Sequence, residues 1–466
     1  MGRKRKIVKE LEITKIAAEG KGMARRDGKV IFVENAVPGD IADVRIIKNR
    51  KDFSIGKVFD LKKKSEDRID AFCEYFGVCG GCKWQHLAYE QQGIYKQSIV
   101  EESLRRIGKL EFPPIFPILQ AEKTQYYRNK MEFTFSNKRW LTMEEVNSDE
   151  SIDNRNAVGL HVPGVFDKVV DIEHCHLQGE PSNDIRNEIR KYAEENELTY
   201  YDLRGHHGLL RNLIIRTTTL GEVMVILSVA KPEQEAIDGL MEHLLKQFPQ
   251  ITSLHYVVNQ KKNDTLYDQD IITYHGRGYI FETFEDLKFK ISPKSFFQTN
   301  SYQGVRLYNV VREFADLKGD ELVYDLYTGT GSIALFLAKK CHKVVGIETV
   351  EAAIVDAKFN AELNGMDNTA FYAGDVKDML GGDFVAKNGT PDVLVTDPPR
   401  AGMHRDVVER ILEMSPSKIV YVSCNPVTQA RDLQFFAEDY SIEKVQPVDM
   451  FPHTYHIENV VLLNKR

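Results

Sequence analysis

Residues 322–348 read "LVYDLYTGTGSIALFLAKKCHKVVGIE". "LVYDLY" is a short apolar run of the kind a parallel sheet buries on both faces. "TGTG" interrupts it with Gly329 and Gly331, "SIALFLAKK" continues as a helix, and "KVVGIE" is a second strand. Working outward, "VEAAIVDAKFNAELNG" reads as a helix with a glycine stop, and "PDVLVTDPP", "KIVYVSCNP" and "NVVLLNK" read as further strands. Apolar strands alternating with helices predict a doubly wound α/β domain over residues 286–466.

In such a sheet the ligand crevice lies beyond the carboxyl ends of the strands. The glycines let a ligand approach the backbone, although the spacing is GxG and not the dinucleotide GxGxxG. Glu348 ends "KVVGIE", where an acid can bind ribose hydroxyls, Asp375 follows "FYAG", and Asp397 opens "DPPR". Each alone reads equally well as a helix cap or turn residue. Acids at the ends of successive strands face one crevice. No phosphate-binding lysine motif is present, so the pocket suits an adenosine without phosphates: S-adenosylmethionine fits and ATP does not.

"YVSCNPVTQARDL", residues 421–433, puts Cys424 at the lip of a strand on the same rim. A free cysteine is most often an inert buried thiol, as Cys341 in "KKCHKV" reads. Cys424 differs in being framed by Ser, Asn and Pro at a strand end. A thiol beside a methyl donor suggests methylation of a poor carbon nucleophile, such as carbon 5 of uracil. Addition of the thiolate at carbon 6 activates carbon 5, and a base must then remove the carbon 5 proton. "FPHTYHIENV" offers Glu458 at the head of the last strand, with His453 and His456 as rivals.

The remaining sequence supports further domains. The chain has 466 residues, 42% of them apolar, too long for one core. Residues 1–64 carry 18 Lys and Arg against 9 Asp and Glu, whereas the whole chain has a net charge of −7. A basic module on an acidic body points to a polyanionic partner. Within it, "IVKELEITKI", "KVIFVEN", "IADVRIIK" and "SIGKVFDL" are short strands split by turns, the pattern of a small barrel. Residues 65–285 alternate strands and helices in an α+β manner, with a polar loop at "LTMEEVNSDESIDNRN". The basic start "MGRKRKIVKE" precedes no apolar stretch and no run of about 18 apolar residues occurs, so a cytoplasmic protein without membrane attachment is expected.

Six cysteines are too few for a disulfide scaffold. Cys73, Cys79 and Cys82 cluster in "CEYFGVCGGCKWQH" with the spacing C-x5-C-x2-C. Zinc sites come mostly as CxxC pairs, and three clustered thiols with a distant fourth more often hold an iron–sulfur cluster. Cys175 in "DIEHCHL" is the natural fourth, with His174 and His176 as zinc-compatible alternatives.

Taken together, "FFQTN", "DLYTGTG", "DPPRAG", "SCNPVTQARDL" and "FPHTYHIE" resemble, in order, the motifs of the RNA 5-methyluridine methyltransferases of the RumA/TrmA type, and most closely the RumA-like 23S rRNA enzymes. The likeness covers nearly the whole chain. It implies a Rossmann-like methyltransferase domain at 286–466, a mixed α+β iron–sulfur domain at 65–285, and an OB-like RNA-binding TRAM barrel at 1–64. A segment near 93–125 is expected to pack back on the catalytic domain. The nucleophile falls on Cys424 and the general base on Glu458. The cofactor contacts fall on Gln298, Tyr327, Glu348 and Asp397, with Asp375 near the adenine. The [4Fe-4S] ligands fall on Cys73, Cys79, Cys82 and Cys175. The implied cofactors are S-adenosylmethionine and the cluster, the partner is RNA, and the protein is expected to be monomeric. Thr328 departs from the family, where many members have Cys or Ser. A tRNA 5-methyluridine enzyme is the alternative, and an RNA 5-methylcytosine enzyme fits less well because those carry a Pro-Cys motif.

Overall fold

The computed structural model describes residues 6–466 apart from Ala18, Glu150 and Tyr267, so the first five residues of the basic start lie outside the described residues. The C-terminal sheet has seven strands in the spatial order Thr369–Ala373, Lys343–Glu348, Leu322–Leu326, Val393–Thr396, Lys418–Ser423, Glu458–Lys465, Tyr440–Val448. The first five run parallel. The last two form an antiparallel pair on the edge of Lys418–Ser423. The winding reverses at Leu322–Leu326, which opens the crevice at that strand's end.

Register aligns the rim. Leu326 pairs with Thr396 and Thr396 with Tyr421, so Asp397 and Cys424 both project just past the paired ends. Ser423 pairs with Asn459 in antiparallel sense, which sets Cys424 opposite Glu458. Two residues 34 positions apart in sequence thereby become neighbours.

A second seven-stranded sheet runs in the order Ile271–Gly276, Ile251–Val258, Val223–Val229, Leu210–Thr217, Lys130–Ser136, Ala157–Val162, Val165–Asp171. Helices Ser182–Glu195 and Gln234–Gln247 share a core with one face of it. Ile214, Met224 and Ile226 on the other face share a core with the hairpin Ile280–Phe284/Leu287–Ile291 and helix Ser301–Ala315. The polar stretch expected to be a loop contains a helix, Met143–Asn147. Thr142 and Glu145 form a reciprocal capping box there, a signal that the charged composition masked.

The N-terminal sheet has six strands, ordered Ile7–Glu12, Ile41–Asn49, Phe53–Lys63, Lys29–Glu34, Gly22–Arg26, Lys15–Ile16. Its pairings run from edge to edge and do not close into the expected barrel among the described residues. Lys15–Ile16 offers too little edge to close a ring. Register shifts between Ile41–Asn49 and Phe53–Lys63 mark bulges, which increase local twist, and the sheet wraps a small core that includes Leu11, Ala24, Val33 and Val44.

Residues 89–121 join the units. Helix Tyr89–Glu102 and the following turn pack on helix Pro426–Phe436, and Gln434 Nε2 donates to the Ile107 carbonyl at 3.0 Å. The chain then lies along the outer strand, with Phe116 N donating to the Val445 carbonyl at 3.0 Å and Leu119 N to that of Pro447 at 2.9 Å. No helix among the described residues is long and apolar enough to cross a membrane.

Candidate active site

Cys424 is held at its strand end by a tight set of local bonds. Asn425 N donates to Ser423 Oγ at 3.1 Å, and Val427 N donates to Asn425 Oδ1 at 3.1 Å, capping helix Pro426–Phe436. Pro426 suits the first helical turn, where no N–H partner is needed. Asn425 Nδ2 and Thr428 Oγ1 both donate to the Arg400 carbonyl, at 3.1 and 3.2 Å, clamping the "DPPR" loop against the cysteine turn. Gly402 completes that loop at φ +80°, and a Cβ there would meet Asp432 Oδ2 at 2.4 Å, so no other residue fits.

The thiol sits among acids. Burial pushes the Cys424 pKa up to about 11, the Glu458 and Asp397 carboxylates add to the rise, and Arg400 opposes it. Burial, then Asp397, pushes Glu458 well above the usual carboxylate range, again against Arg400. Asp397 is pushed up to about 7 by burial and by Asp325, and Asp325 also reaches about 7 by burial, against a 2.5 Å hydrogen bond from Thr328 Oγ1. At neutral pH the site therefore keeps the proton on Cys424, and it favours the protonated form of Glu458 more than water does. Chemistry that needs the thiolate is favoured by alkali, so kcat/KM, which reports the free enzyme, is expected to climb from neutral pH towards about 11. A profile already flat from pH 6 would mean that a thiolate stands preformed.

The two histidines proposed as rival bases are poor ones. His456 lies 3.4 Å from an Arg400 nitrogen, and burial with Arg400, Lys96 and Arg128 pushes it down to about 4. His453 is also pushed down to about 4, chiefly by burial, and its backbone N–H donates to Gln92 Oε1 at 2.8 Å. A carboxylate whose pKa is raised is the stronger proton acceptor. The loop carrying these residues is pinned by Lys96 and Asp449, a fully buried ion pair at 2.6 Å, with Lys96 also donating to the Phe451 carbonyl at 3.0 Å. Breaking such a pair costs about 3–5 kcal/mol because the survivor stays buried and uncompensated.

On the cofactor side, Gly329 and Gly331 adopt φ +55° and +79°. A Cβ at Gly331 would crowd Ala357 and Phe371 at 3.1 Å, whereas one at Gly329 would meet nothing within 4 Å, so Gly329 borders open space. Glu348 accepts from Gly329 N at 3.2 Å and from Val350 N at 2.9 Å. A carboxylate has about four lone-pair sites, so two remain for a ligand. Asp375 is exposed and accepts from Lys377 N at 2.9 Å as the cap of a short helix, and its charge, after burial, helps to push Tyr327 up to about 12. Gln298 is buried, its carbonyl accepting from Asn129 Nδ2 at 2.8 Å, and its side chain bonds Tyr308, whose hydroxyl lies 2.8 Å from Ser332 Oγ in the glycine turn. The structure thus brings Gln298, Tyr327, Glu348, Asp375 and Asp397 to one rim with Cys424 and Glu458. The sequence does not single out Asp325, and it marks Arg400 only as standing where an amino-methyltransferase has an aromatic residue, not as a partner of Cys424. "DPPR" carried the signal for Arg400, and Asp325 is a lone acid inside an apolar strand.

Cys73, Cys79, Cys82 and Cys175 line one cavity with Gln85, His174 and His176. All four are free, and burial raises each thiol, to about 11 for Cys79 and about 12 for Cys82. The turn holding them needs glycine, since a Cβ at Gly80 would lie 2.5 Å from the His161 carbonyl. Among the described residues no group of three or more His, Cys, Asp or Glu side chains is arranged to hold a metal ion. The cysteine segment touches the loop that leads to Glu458: Lys83 N and Trp84 N donate to the His453 carbonyl at 2.8 and 2.9 Å.

Comparison with known proteins gives matches along nearly the whole chain. A family model for tRNA (uracil-5-)-methyltransferase matches residues 210–379 and 382–466, and one for the TRAM domain matches residues 3–59. An uncharacterized RNA methyltransferase of Bacteroides thetaiotaomicron is 54% identical over 97% of this chain and 100% of its own. One from Chlorobaculum tepidum is 39% identical over 98% of this chain and 96% of its own. Among solved structures, the Pyrococcus abyssi tRNA (uracil-54, C5)-methyltransferase in complex with S-adenosyl-L-homocysteine aligns with a TM-score of 0.75 at 29% identity, covering 97% of this chain and 100% of that one.

Proposed function

Because the chain belongs to the tRNA (uracil-5-)-methyltransferase family of S-adenosylmethionine-dependent RNA methyltransferases, we propose that it methylates carbon 5 of uridine in 23S rRNA through a covalent adduct on Cys424. The observation that carries the mechanism is the pairing of Ser423 with Asn459, which sets a thiol opposite a buried carboxyl at the mouth of the crevice. Bound S-adenosylmethionine supplies the methyl group. The Cys424 thiolate adds to carbon 6, and its electron pair moves the ring into an enolate. Carbon 5 takes the methyl group as the donor's carbon–sulfur bond breaks towards sulfur. Glu458 accepts the carbon 5 proton, the bond from carbon 6 to sulfur breaks, and the thiolate is restored. Arg400 stabilises both anions. Gln298, Tyr327, Glu348, Asp375 and Asp397 hold the donor. A second reading, tRNA as substrate, is favoured by the P. abyssi neighbour. RNA tritiated at uridine carbon 5 tests the reaction: 23S rRNA from a strain lacking the enzyme should release tritium with S-adenosylmethionine and tRNA should not. Release from neither RNA overturns the reading.

The units proposed are residues 1–64, a TRAM module for RNA, 65–285, an iron–sulfur unit, and 286–466, the catalytic unit with 93–125 packed on it. Two turns of the first unit meet where Lys29 Nζ donates to Asn49 Oδ1 at 2.7 Å, and Arg25, Arg26, Arg50 and Lys51 around them are exposed. If these side chains neutralise phosphates, changing all four to Gln flattens the dependence of log K on log salt, by about 0.7 in slope for each phosphate of a single strand left without its cation. An unchanged slope would mean that this charge only solvates the fold.

Four free thiols around one cavity, Cys175 buried and Cys73, Cys79 and Cys82 half-buried, suit a [4Fe-4S] cluster, since thiolates bound to iron need no protons there. With four protein ligands the cluster is a structural part. Protein purified without oxygen is expected to be brown, with about four irons per chain. Stoichiometric zinc would refute this.

A further inference from the structure

Next to the cysteine cavity, and outside the catalytic crevice, a group of rings lies at the surface. The Tyr126 hydroxyl is 2.9 Å from His174 Nε2 and 3.2 Å from His176 Nδ1. The two imidazoles meet at 4.6 Å between centroids, and Phe72 meets His176 at 5.1 Å and 82°. Tyr126 is 41% exposed and Phe72 37%. Tyr126 also sits at φ +53°, which a bulky residue seldom adopts, with its N–H bonded to the His176 carbonyl at 2.8 Å. These rings meet edge to face or tilted, so none is stacked flat upon another.

The ledge adjoins the loop that leads to Glu458. Phe72 touches the His453 ring at 5.0 Å, and the Tyr127 hydroxyl donates to the Pro452 carbonyl at 3.0 Å. Arg128, two residues from Tyr126, lies over the Phe451 ring at 5.2 Å. Exposed rings such as Phe72 and Tyr126, with the half-buried imidazoles of His174 and His176 beside them, offer faces to unstacked bases and polar tips to their edges, the usual way single-stranded RNA is held. We propose that Phe72, Tyr126, His174 and His176 form a subsite for an unpaired nucleobase of the substrate RNA, in the strand flanking the target uridine. This rests on the reading that RNA is the substrate.

The test has two arms. A single-stranded oligouridylate of about 12 nucleotides carrying 5-iodouridine, within the site size of single-strand binders, is irradiated with the full-length protein and the cross-linked peptide is mapped. Cross-links to Tyr126, His174 or His176 support the subsite, and cross-links confined to other regions overturn it. In the second arm, Tyr126→Asn, which tolerates a positive φ, is compared with Tyr126→Phe on an RNA that the wild type methylates. Losing one base stack should raise KM about 5- to 150-fold, with kcat and iron content unchanged, while Tyr126→Phe stays near wild type. An unchanged KM overturns the subsite, and so does a fall in kcat or iron, which would make Tyr126 a structural residue. If the wild type methylates no RNA, the proposed function fails by itself, and the cross-linking arm still reads the ledge.

Discussion

Cys424→Ala is expected to lower kcat by about 10^4-fold or more, the scale on which a covalent nucleophile is missed, while S-adenosylmethionine binds as before. The thiol stands opposite Glu458 and beside Arg400, whereas the glycine turn lies two strands away and Glu348 three. Its loss would remove the proposed nucleophile and leave the proposed donor contacts in place. Single-turnover kinetics with calorimetric titration of the cofactor separate the two effects. Turnover within tenfold of wild type would remove Cys424 from the mechanism.

Glu458→Gln should stall the reaction after methyl transfer. Elimination of the thiolate requires loss of the carbon 5 proton, so the methylated uracil would remain bonded to Cys424. A protein–RNA species that survives denaturation and forms only with S-adenosylmethionine is the expected readout. RNA containing 5-fluorouridine should trap the same bond on the wild-type enzyme, because fluorine does not leave as a proton does. Cys424→Ala should yield neither species. The amide substitution also removes one of the acids that raise the Cys424 thiol, so adduct formation itself should not slow for want of a thiolate. Free turnover without adduct would move the base to another group. His453 or His456 would then be the first candidate, although burial lowers both.

Local signals were strong where backbone geometry and burial act over a few residues. "LVYDLYTGTG" had to be a buried strand running into a turn, because the strand is apolar and the turn needs positive φ at Gly329 and Gly331. "SCNPVTQ" placed a cysteine before a helix start, because Asn caps and Pro fits the first turn. Helix Tyr89–Glu102 carried no such signal. Its buried side includes Gln92 and Lys96 beside Ile99 and Val100, so no apolar stripe marks it. Those polar groups are buried because they have specific partners, His453 and Asp449, more than 350 residues away in sequence.

The chain itself thus determined the doubly wound core, the basic N-terminal module, the cysteine cluster and the residue types along the crevice rim, since each depends on composition or short-range spacing. The tertiary structure alone decided what those residues do to one another. Cys424 and Glu458 become neighbours only through the antiparallel register of the last strand. Arg400 becomes their counter-charge only because Asn425 and Thr428 clamp its loop. The proton affinities of the site follow from burial and the mutual distances of Asp325, Asp397 and Glu458. Burial and Coulomb energy depend on position in space, and residues remote in sequence acquire a shared position only when the sheet closes around them.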